Sequence, residues 1–414
     1  MSESPTPTTS DVIVVGAGLA GLSCAVRLHE LGHRIRVFEA ADGVGGRVRT
    51  DNVDGFLLDR GFQVYLDAYP EAGKLLDLEA LDLRSFEPGA LVWKKGELRS
   101  VLDVFRKPSA LFSSAFAPIG SMWDKLLVAK LRFHLLRKHV SDIWQGPEMT
   151  TSNYLRKFGF SDRIIDDFFR SFYGGVFLED LLVTSSRLFE FTFKMFSSGS
   201  ATLPNAGMQA IPEQLATRLP ENAISLNRPV DSVTSDHIVI EDTRQIADHI
   251  VLATDGATAA RLLGAEIAPR WNSTSCLYFS ADEAPFEEAI IALHGDREGL
   301  IHNLCVPSAV APGYAPDGKS LISVSVIGNQ EDNADLTRAI EAELVEWFGE
   351  KAETWKHLRT EHIPQALPVD PLGNETEICR HESIWICGDH TRSGSIEGAI
   401  ISGLETANRI SEKE

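Results

Sequence analysis

The residues best suited to chemistry here are small ones, spaced to hold phosphate. Gly16-Ala17-Gly18-Leu19-Ala20-Gly21 is a GxGxxG run. In such a loop the first glycine permits a tight turn and the second lets the backbone approach a pyrophosphate. The third lets a helix pack closely on a sheet. A helix opening there aims N–H groups and a partial positive charge at the anion. Glu39 and Ala40 follow about 20 residues on, where an acidic side chain accepts hydrogen bonds from a ribose. Gly43-Val44-Gly45-Gly46-Arg47 is a second glycine cluster, and its N–H groups and guanidinium suit a further anion-binding nest. Two more polar turns stand apart: Asp59-Arg60-Gly61-Phe62-Gln63, and Gly388-Asp389-His390 with Glu397-Gly398-Ala399 downstream.

These groups need elements to position them. Val12-Ile13-Val14-Val15 reads as a strand buried on both faces. Residues 22–31 carry apolar side chains at helical spacing, and Gly32 is placed to end that helix. Residues 35–38 form the next strand, giving one βαβ unit with a right-handed crossover. Residues 246–253, 276–279, 321–326 and 384–387 read as further strands, and 226–240 alternates like one. Residues 336–348 and 397–410 read as helices. The stretch 85–204 is rich in Phe, Leu and Trp at helical spacing, so a mostly helical section is expected there.

Taken in this order, the motifs resemble the flavin amine oxidase superfamily, which includes amine oxidases, protoporphyrinogen oxidase and phytoene-desaturase-like enzymes. The resemblance is carried by 12–61, by Pro204-Asn205-Ala206-Gly207-Met208 with Leu215, and by 384–399. It implies an α/β fold in which a Rossmann-type FAD-binding domain is interleaved with an α+β substrate domain containing the helical section. Residues 11–84, 205–265 and 370–414 are assigned to the first, 85–204 and 266–369 to the second, and 1–10 to a flexible tail. It implies FAD, and no cysteine in the closing turn suits a covalent link, so non-covalent FAD is expected. Val230 is placed beside the adenine, and Arg60, Gly61, Phe62 and Gln63 near the isoalloxazine. Gly388 and Asp389 fall at the ribityl chain. The helix starting near Glu397, with Gly398 and Ala399, falls at the pyrimidine end, where its positive pole favours the charge of reduced flavin.

The implied activity is oxidation or dehydrogenation of a small organic molecule by hydride transfer to flavin N5, with dioxygen or a quinone-like acceptor taking the electrons. Some residues depart from the family pattern. Ala206 stands where a second glycine is usual, 276–279 holds no Lys, and Ser393-Gly394-Ser395-Ile396 has no aromatic. Amine oxidases of the family commonly have the last two. Ile363-Pro364-Gln365-Ala366-Leu367-Pro368 is similar to a stretch of the porphyrinogen-oxidase and carotene-desaturase branch. An apolar, lipophilic substrate is therefore expected. A true amine oxidase releasing hydrogen peroxide, and a redox-silent flavin-containing binding protein, stay open as alternatives.

Composition narrows the rest. A net charge of −20 argues against nucleic acid as a partner. Five scattered cysteines without a CxxC pair fit a reducing compartment, hence a cytoplasmic protein. No apolar run reaches the length of a membrane span. Residues 99–139 combine Arg99, Arg106, Lys107, Lys125, Lys130, Arg132, Arg137 and Lys138 with apolar and aromatic side chains, the mixture of a surface that lies on a membrane and equally that of a helical cap whose apolar face is core. Phe168, Phe169, Phe172 and Tyr173 read as core, with a substrate-lining role open to them. The histidines show no metal-ligand spacing, so no metal is expected. No acid or base can be named as catalytic, because hydride transfer to a flavin mainly requires positioning.

Overall fold

The computed structural model describes residues 10–102, 120–265, 270–296, 299–328, 334–369, 380–381 and 384–412. All but the last residue of the expected tail lies outside these, as do 103–119 of the basic-apolar stretch.

The first sheet begins as the sequence demands. Strand β1 (Ser10–Val15) carries Val12, Ile13 and Val14 with no exposure at all, as a central strand covered on both faces must. Helix α1 (Leu19–Glu30) follows, with Arg27 and His29 in its last turn to suit the negative pole. Gly32, at φ +94°, turns the chain into β2 (Ile35–Phe38). On the other side of β1 lie β3 (Thr243–Leu252) and then β4 (Ile384–Ile386), all parallel. The register aligns their ends: Phe38 pairs with Val15, Val15 with Leu252, and Leu252 with Ile386. Strand order reverses at β1, so the crevice beyond this row is the place where such sheets bind ligands. The C-terminal helix Ile396–Ser411 packs on α1 so closely that a side chain on Gly403 would meet the carbonyl of Ala20.

The second sheet has seven strands in the spatial order Lys356–Pro368, Trp271–Ala281, Ser320–Ile327, Asn303–Cys305, Ile291–His294, Gly89–Lys94, Glu97–Leu102. Alternation along each strand divides its faces. Leu277, Phe279, Ile322 and Val324 pack under the helix Ala334–Phe348, with Trp93 stacked on Trp347 at 5.2 Å. Thr274, Asn303 and Ser325 face the other way, into a cavity.

Two sequence expectations change. The stretch 85–204 opens with a hairpin, not a helix. Lys94 pairs with Glu97 across Lys95 and Gly96, whose φ values of +55° and +78° make the two-residue turn that suits strand twist. Among the described residues of this stretch, helices begin at Met122. The expected strand 226–240 is reduced to Ser232–Val233 and His237–Ile240. Asn227 at φ +53° and Pro229, which has no N–H, interrupt it.

The helical section holds α2 (Met122–Arg137) and α3 (Ser186–Ser198), with shorter helices between them. Ser121 and Asp124 form a reciprocal cap at the start of α2. A π-helical turn, Ile165–Phe169, precedes the helix Arg170–Phe177. Between the two sheets, Ala201–Pro204 joins Tyr65–Leu66 and Leu83–Ser85 in a small antiparallel sheet.

Candidate active site

One cavity of about 1320 Å³ runs from the first sheet to the helical section. At the sheet end its wall is made by residues just past the aligned strand ends: Gly16, Glu39, Ala253 and Gly388. The three fingerprint glycines differ physically. Gly16 takes φ +104°, and a Cβ there would lie 2.8 Å from the carbonyl oxygen of Ala253. A Cβ on Gly21 would lie 2.0 Å from the carbonyl oxygen of Gly16, so it fixes how α1 sits on the sheet. Gly18 has no neighbour within 4 Å of its missing Cβ. The protein's own packing does not require glycine there, and the space beside it opens into the cavity. Gly18, Leu19 and Ala20 line the wall, and no side chain caps α1, so its first turn is directed at the cavity.

Glu39 spans two loops. Its carboxylate accepts from the backbone N–H of Ala17 at 2.7 Å and of Ala41 at 2.8 Å, while Glu39 and Ala40 both line the cavity. The second glycine cluster lies against the first. Gly45 donates to the carbonyl of Ala17 at 2.8 Å, and Gly45 and Gly46 take φ +114° and +59°. Arg47 does not stand open as an anion site. It donates to Asp389 at 2.6 Å and to the Ala366 carbonyl at 2.8 Å, with its guanidinium 5.1 Å from the centre of the Trp271 ring. It thereby ties together three separate stretches of the wall.

Arg60, Gly61, Phe62 and Gln63 also line the cavity. Arg60 makes two bonds of 3.1 Å to Asp51 and is held in place by them. Hydrogen bonding from Arg60 keeps the Asp51 carboxyl below its usual range. Gln63 donates to the Arg47 carbonyl at 2.9 Å. Beneath them Asp59 is buried, receiving Thr50 at 2.5 Å, Tyr314 at 2.7 Å and the Met208 N–H at 3.1 Å. Burial pushes its pKa up to about 6 against those three bonds. Pro204-Asn205-Ala206-Gly207-Met208 thus serves the wall from behind.

Val230, Gly388, Asp389 and Ala399 line the cavity as well. Glu397 and Gly398 do not, and here the expectation changes. The Glu397 carboxylate turns inward and accepts from the N–H groups of Glu71 at 2.8 Å and Ala72 at 2.9 Å. Gly398 is pressed on Ser393, whose carbonyl oxygen would lie 2.1 Å from a Cβ. Their places at the wall are taken by Gly394, Ser395 and Ile396. Ser395 is the N-cap, accepting from the Gly398 N–H at 2.9 Å. The start of the C-terminal helix still meets the cavity, through Ser395, Ile396 and Ala399.

Sequence reasoning passed over Thr254, Asp255, Thr258 and Arg261, which line the cavity after β3. Asp255 caps the helix Gly256–Leu263 through Ala257 and Thr258. The signal was present: a buried strand, an N-cap aspartate, then a helix. The far end of the cavity is apolar. Phe168, Phe172, Tyr173, Phe193 and Phe196 line it, while Phe169 is core with no exposure. Among the described residues the cavity wall has no cysteine. Cys387 is fully buried, with its thiol hydrogen-bonded to that of Cys24.

A parallel sheet with its ligand crevice at the order reversal, two interlocked glycine loops and a closing helix start are now in one place. The flavin containing amine oxidoreductase family matches residues 19–411. The chain belongs to that family. Among curated relatives it is 32% identical to protoporphyrinogen oxidase 2 of Arabidopsis thaliana over 172 residues, covering 41% of this chain and 33% of that protein. It is 27% identical to an L-amino-acid oxidase of Bothrops pauloensis over 285 residues, covering 63% of this chain and 55% of that one. The matched stretches thus span about a third and about half of those relatives' lengths. In fold it is similar to cyclohexylamine oxidase from Brevibacterium oxydans, with a TM-score of 0.74 at 16% identity over 98% of this chain and 99% of that one. Among the described residues no group of His, Cys, Asp and Glu is arranged to hold a metal, and no helix is long and apolar enough to cross a membrane.

Proposed function

We propose that this family member holds FAD non-covalently along the glycine-lined end of the cavity and oxidises or dehydrogenates an apolar organic substrate seated in the aromatic end. The observation that carries this is the continuity of the two ends in one cavity. The residues fit the cofactor on their own evidence. Gly18 keeps open a space that no protein atom uses, directly before the first turn of α1. Gly16, Gly18, Leu19 and Ala20 would hold the pyrophosphate, with Gly21 seating the helix behind them. Glu39 and Ala40 would meet the ribose, and Val230 the adenine. Gly45, Gly46 and Arg47, with Gly388 and Asp389, would follow the ribityl chain. Arg60 to Gln63 and Ala399 would border the ring system.

Bound there, FAD supplies a two-electron acceptor for the substrate's hydride equivalent. The chain's own part is positional. The stacked Phe168 and Phe172 and the neighbouring Phe196 exclude water and hold an apolar molecule against the polar end. The start of the C-terminal helix presents its positive pole where negative charge collects. The lysine on the described cavity wall is Lys125, on a helix and not on a strand, which favours an apolar substrate over an amine. Dioxygen or a quinone-like molecule would take the electrons. Residues 11–84, 205–265 and 370–414 serve as the FAD-binding domain and 85–204 with 266–369 as the substrate domain. The division of strands between the two large sheets supports this.

The test is anaerobic bleaching of the yellow protein. Porphyrinogens or carotenes should bleach it and amines should not; colourless protein, or bleaching by amines alone, overturns the reading. Helix α2 supports peripheral membrane contact as well. Met122, Trp123, Leu126 and Phe133 are 56–66% exposed beside Lys130 and Arg137. Failure to float with liposomes would remove that part.

A further inference from the structure

Where the helical section rests on the second sheet, that sheet turns three uncharged polar side chains toward the cavity. Asn303 and Ser325 pair directly across neighbouring antiparallel strands, so their side chains lie side by side on one face. Thr274, one strand further, shares that face. Thr274 is already engaged, donating to the Val326 carbonyl at 2.9 Å. Asn303 is not. It is 5% exposed, it lines the cavity, and its Oδ1 has no hydrogen-bond partner among the described residues. An unpaired amide held out of water destabilises the fold, and a molecule that completes it is bound the more tightly.

Backbone keeps the space beside this amide open. The helix Arg170–Phe177 approaches the strand through two glycines. A Cβ on Gly174 would lie 3.0 Å from the His302 ring, and one on Gly175 would lie 3.1 Å from that ring and 3.1 Å from Nδ2 of Asn303. Gly175 itself lines the cavity, so no side chain of its own covers the amide. What completes Oδ1 must donate, and must do so without charge. Asn303, Ser325 and Thr274 are all neutral, and an ammonium set among them would be buried without a carboxylate on that floor. A hydroxyl donates, and because it also accepts it still fits when the amide turns to present Nδ2. Position then sets length. Three strand spacings, about 14 Å, separate Asn303–Cys305 from Lys356–Pro368. Ile363 of that last strand meets Gly61, in the stretch proposed to border the flavin ring.

We propose that Asn303 is a substrate-anchoring residue, whose amide holds a hydroxyl at the end of an elongated apolar molecule remote from the flavin. This rests on the reading of that lobe as the substrate site. It narrows the substrate class from apolar to apolar with a neutral hydroxyl terminus, and makes Asn303 a specificity determinant that holds one end of the molecule while the other meets the ring.

Three probes with one tail test it: decanol, its methyl ether and decylamine, titrated into the yellow holoprotein while the visible flavin spectrum and the melting temperature are followed. The ether keeps the oxygen and loses the donor, so decanol should bind roughly tenfold more tightly than the ether, and more tightly than the amine. Asn303→Leu should close the gap between alcohol and ether while flavin content stays at the native level. If that variant does not fold, the smaller Asn303→Ala should close the same gap. Equal binding of ether and alcohol by the native protein overturns the proposal, as does tighter binding of the amine, or a gap that persists in a folded variant. Binding of none of the three by a protein that is still yellow would instead sink the substrate-lobe reading, and this proposal with it.

Discussion

The two ends of the cavity are built on opposite logics. At the sheet end the chain meets the cavity with backbone: glycines at positive φ, a helix start without a side-chain cap, and carboxylates spent on N–H groups. At the helical end it meets the cavity with bulk, through rings on a π-helical turn, the helix after it and α3. A backbone-built site tolerates few residue types at each position, because φ and close approach admit only some. A bulk-built site tolerates many, because apolar volume can be supplied in many ways. The first should therefore break on single atoms, and the second should yield by degrees.

The largest expected effect separates two glycines of one motif. Gly18→Val should give folded, colourless protein, since its Cβ enters open cavity and no protein atom. Gly21→Val should fail to fold, since its Cβ would fall 2.0 Å from the Gly16 carbonyl oxygen. Circular dichroism and the visible flavin absorption band distinguish them. Unfolding of both variants alike would collapse the distinction between cradle and scaffold.

At the other end, Phe169→Ala should cost about 3–5 kcal/mol in chemical denaturation, the usual loss for a fully buried ring. Phe168→Ala, on the cavity wall, should cost less because solvent or ligand can fill its place. Neither should change flavin content. Loss of flavin from either would show that the lobes are not separable.

This contrast also explains what could be read in advance. Gly16, Gly45 and Gly46 were legible because each takes a positive φ that leaves a mark in sequence, and Glu39 because an acid after the second strand can hold loop N–H groups. Phe168 and Phe169 were not distinguishable from each other: one lines the cavity and one is core, yet both are phenylalanines in a helical pattern. The hairpin at Lys95-Gly96 was missed because the bulky apolar residues around it dominate the local pattern. Asp255 was missed because its strand–cap–helix signal lacks the glycines that advertise a phosphate site. Glu397 was legible as important and illegible in direction, since a helix start offers the same residues to either side.

Asp59, buried and held by Thr50, Tyr314 and Met208, gives a pH signature. Burial lifts its pKa from the ordinary aspartate value of 3.8 to about 6 in the folded protein. A carboxyl with a raised native pKa stabilises the fold most below its unfolded pKa and loses that contribution as pH rises through the native one. Stability should therefore fall by about 3 kcal/mol between roughly pH 4 and pH 6 on account of this group. Asp59→Asn should flatten that window in a pH series of urea melts. An unchanged slope in the variant would mean that the three hydrogen bonds to the carboxylate outweigh its burial.

The finest test uses two glutamates with nearly identical bonding. Glu39 and Glu397 each accept two backbone N–H bonds, at 2.7 and 2.8 Å and at 2.8 and 2.9 Å. They differ in where they face. Glu39 lines the cavity, while Glu397 is 1% exposed, turned away from it, and has its pKa raised by burial. Glu39→Ala should weaken flavin retention by roughly 1–3 kcal/mol, seen as flavin lost on dialysis. Glu397→Gln sets an amide NH₂ against one of two N–H donors, so it should cost about 1–3 kcal/mol of stability. Flavin retained after dialysis should stay at the native level. Should Glu397→Gln bleach on dialysis while its melting point holds, the carboxylate's inward turn would be the wrong account of it. The helix start would then have to be redrawn with Glu397 at the wall.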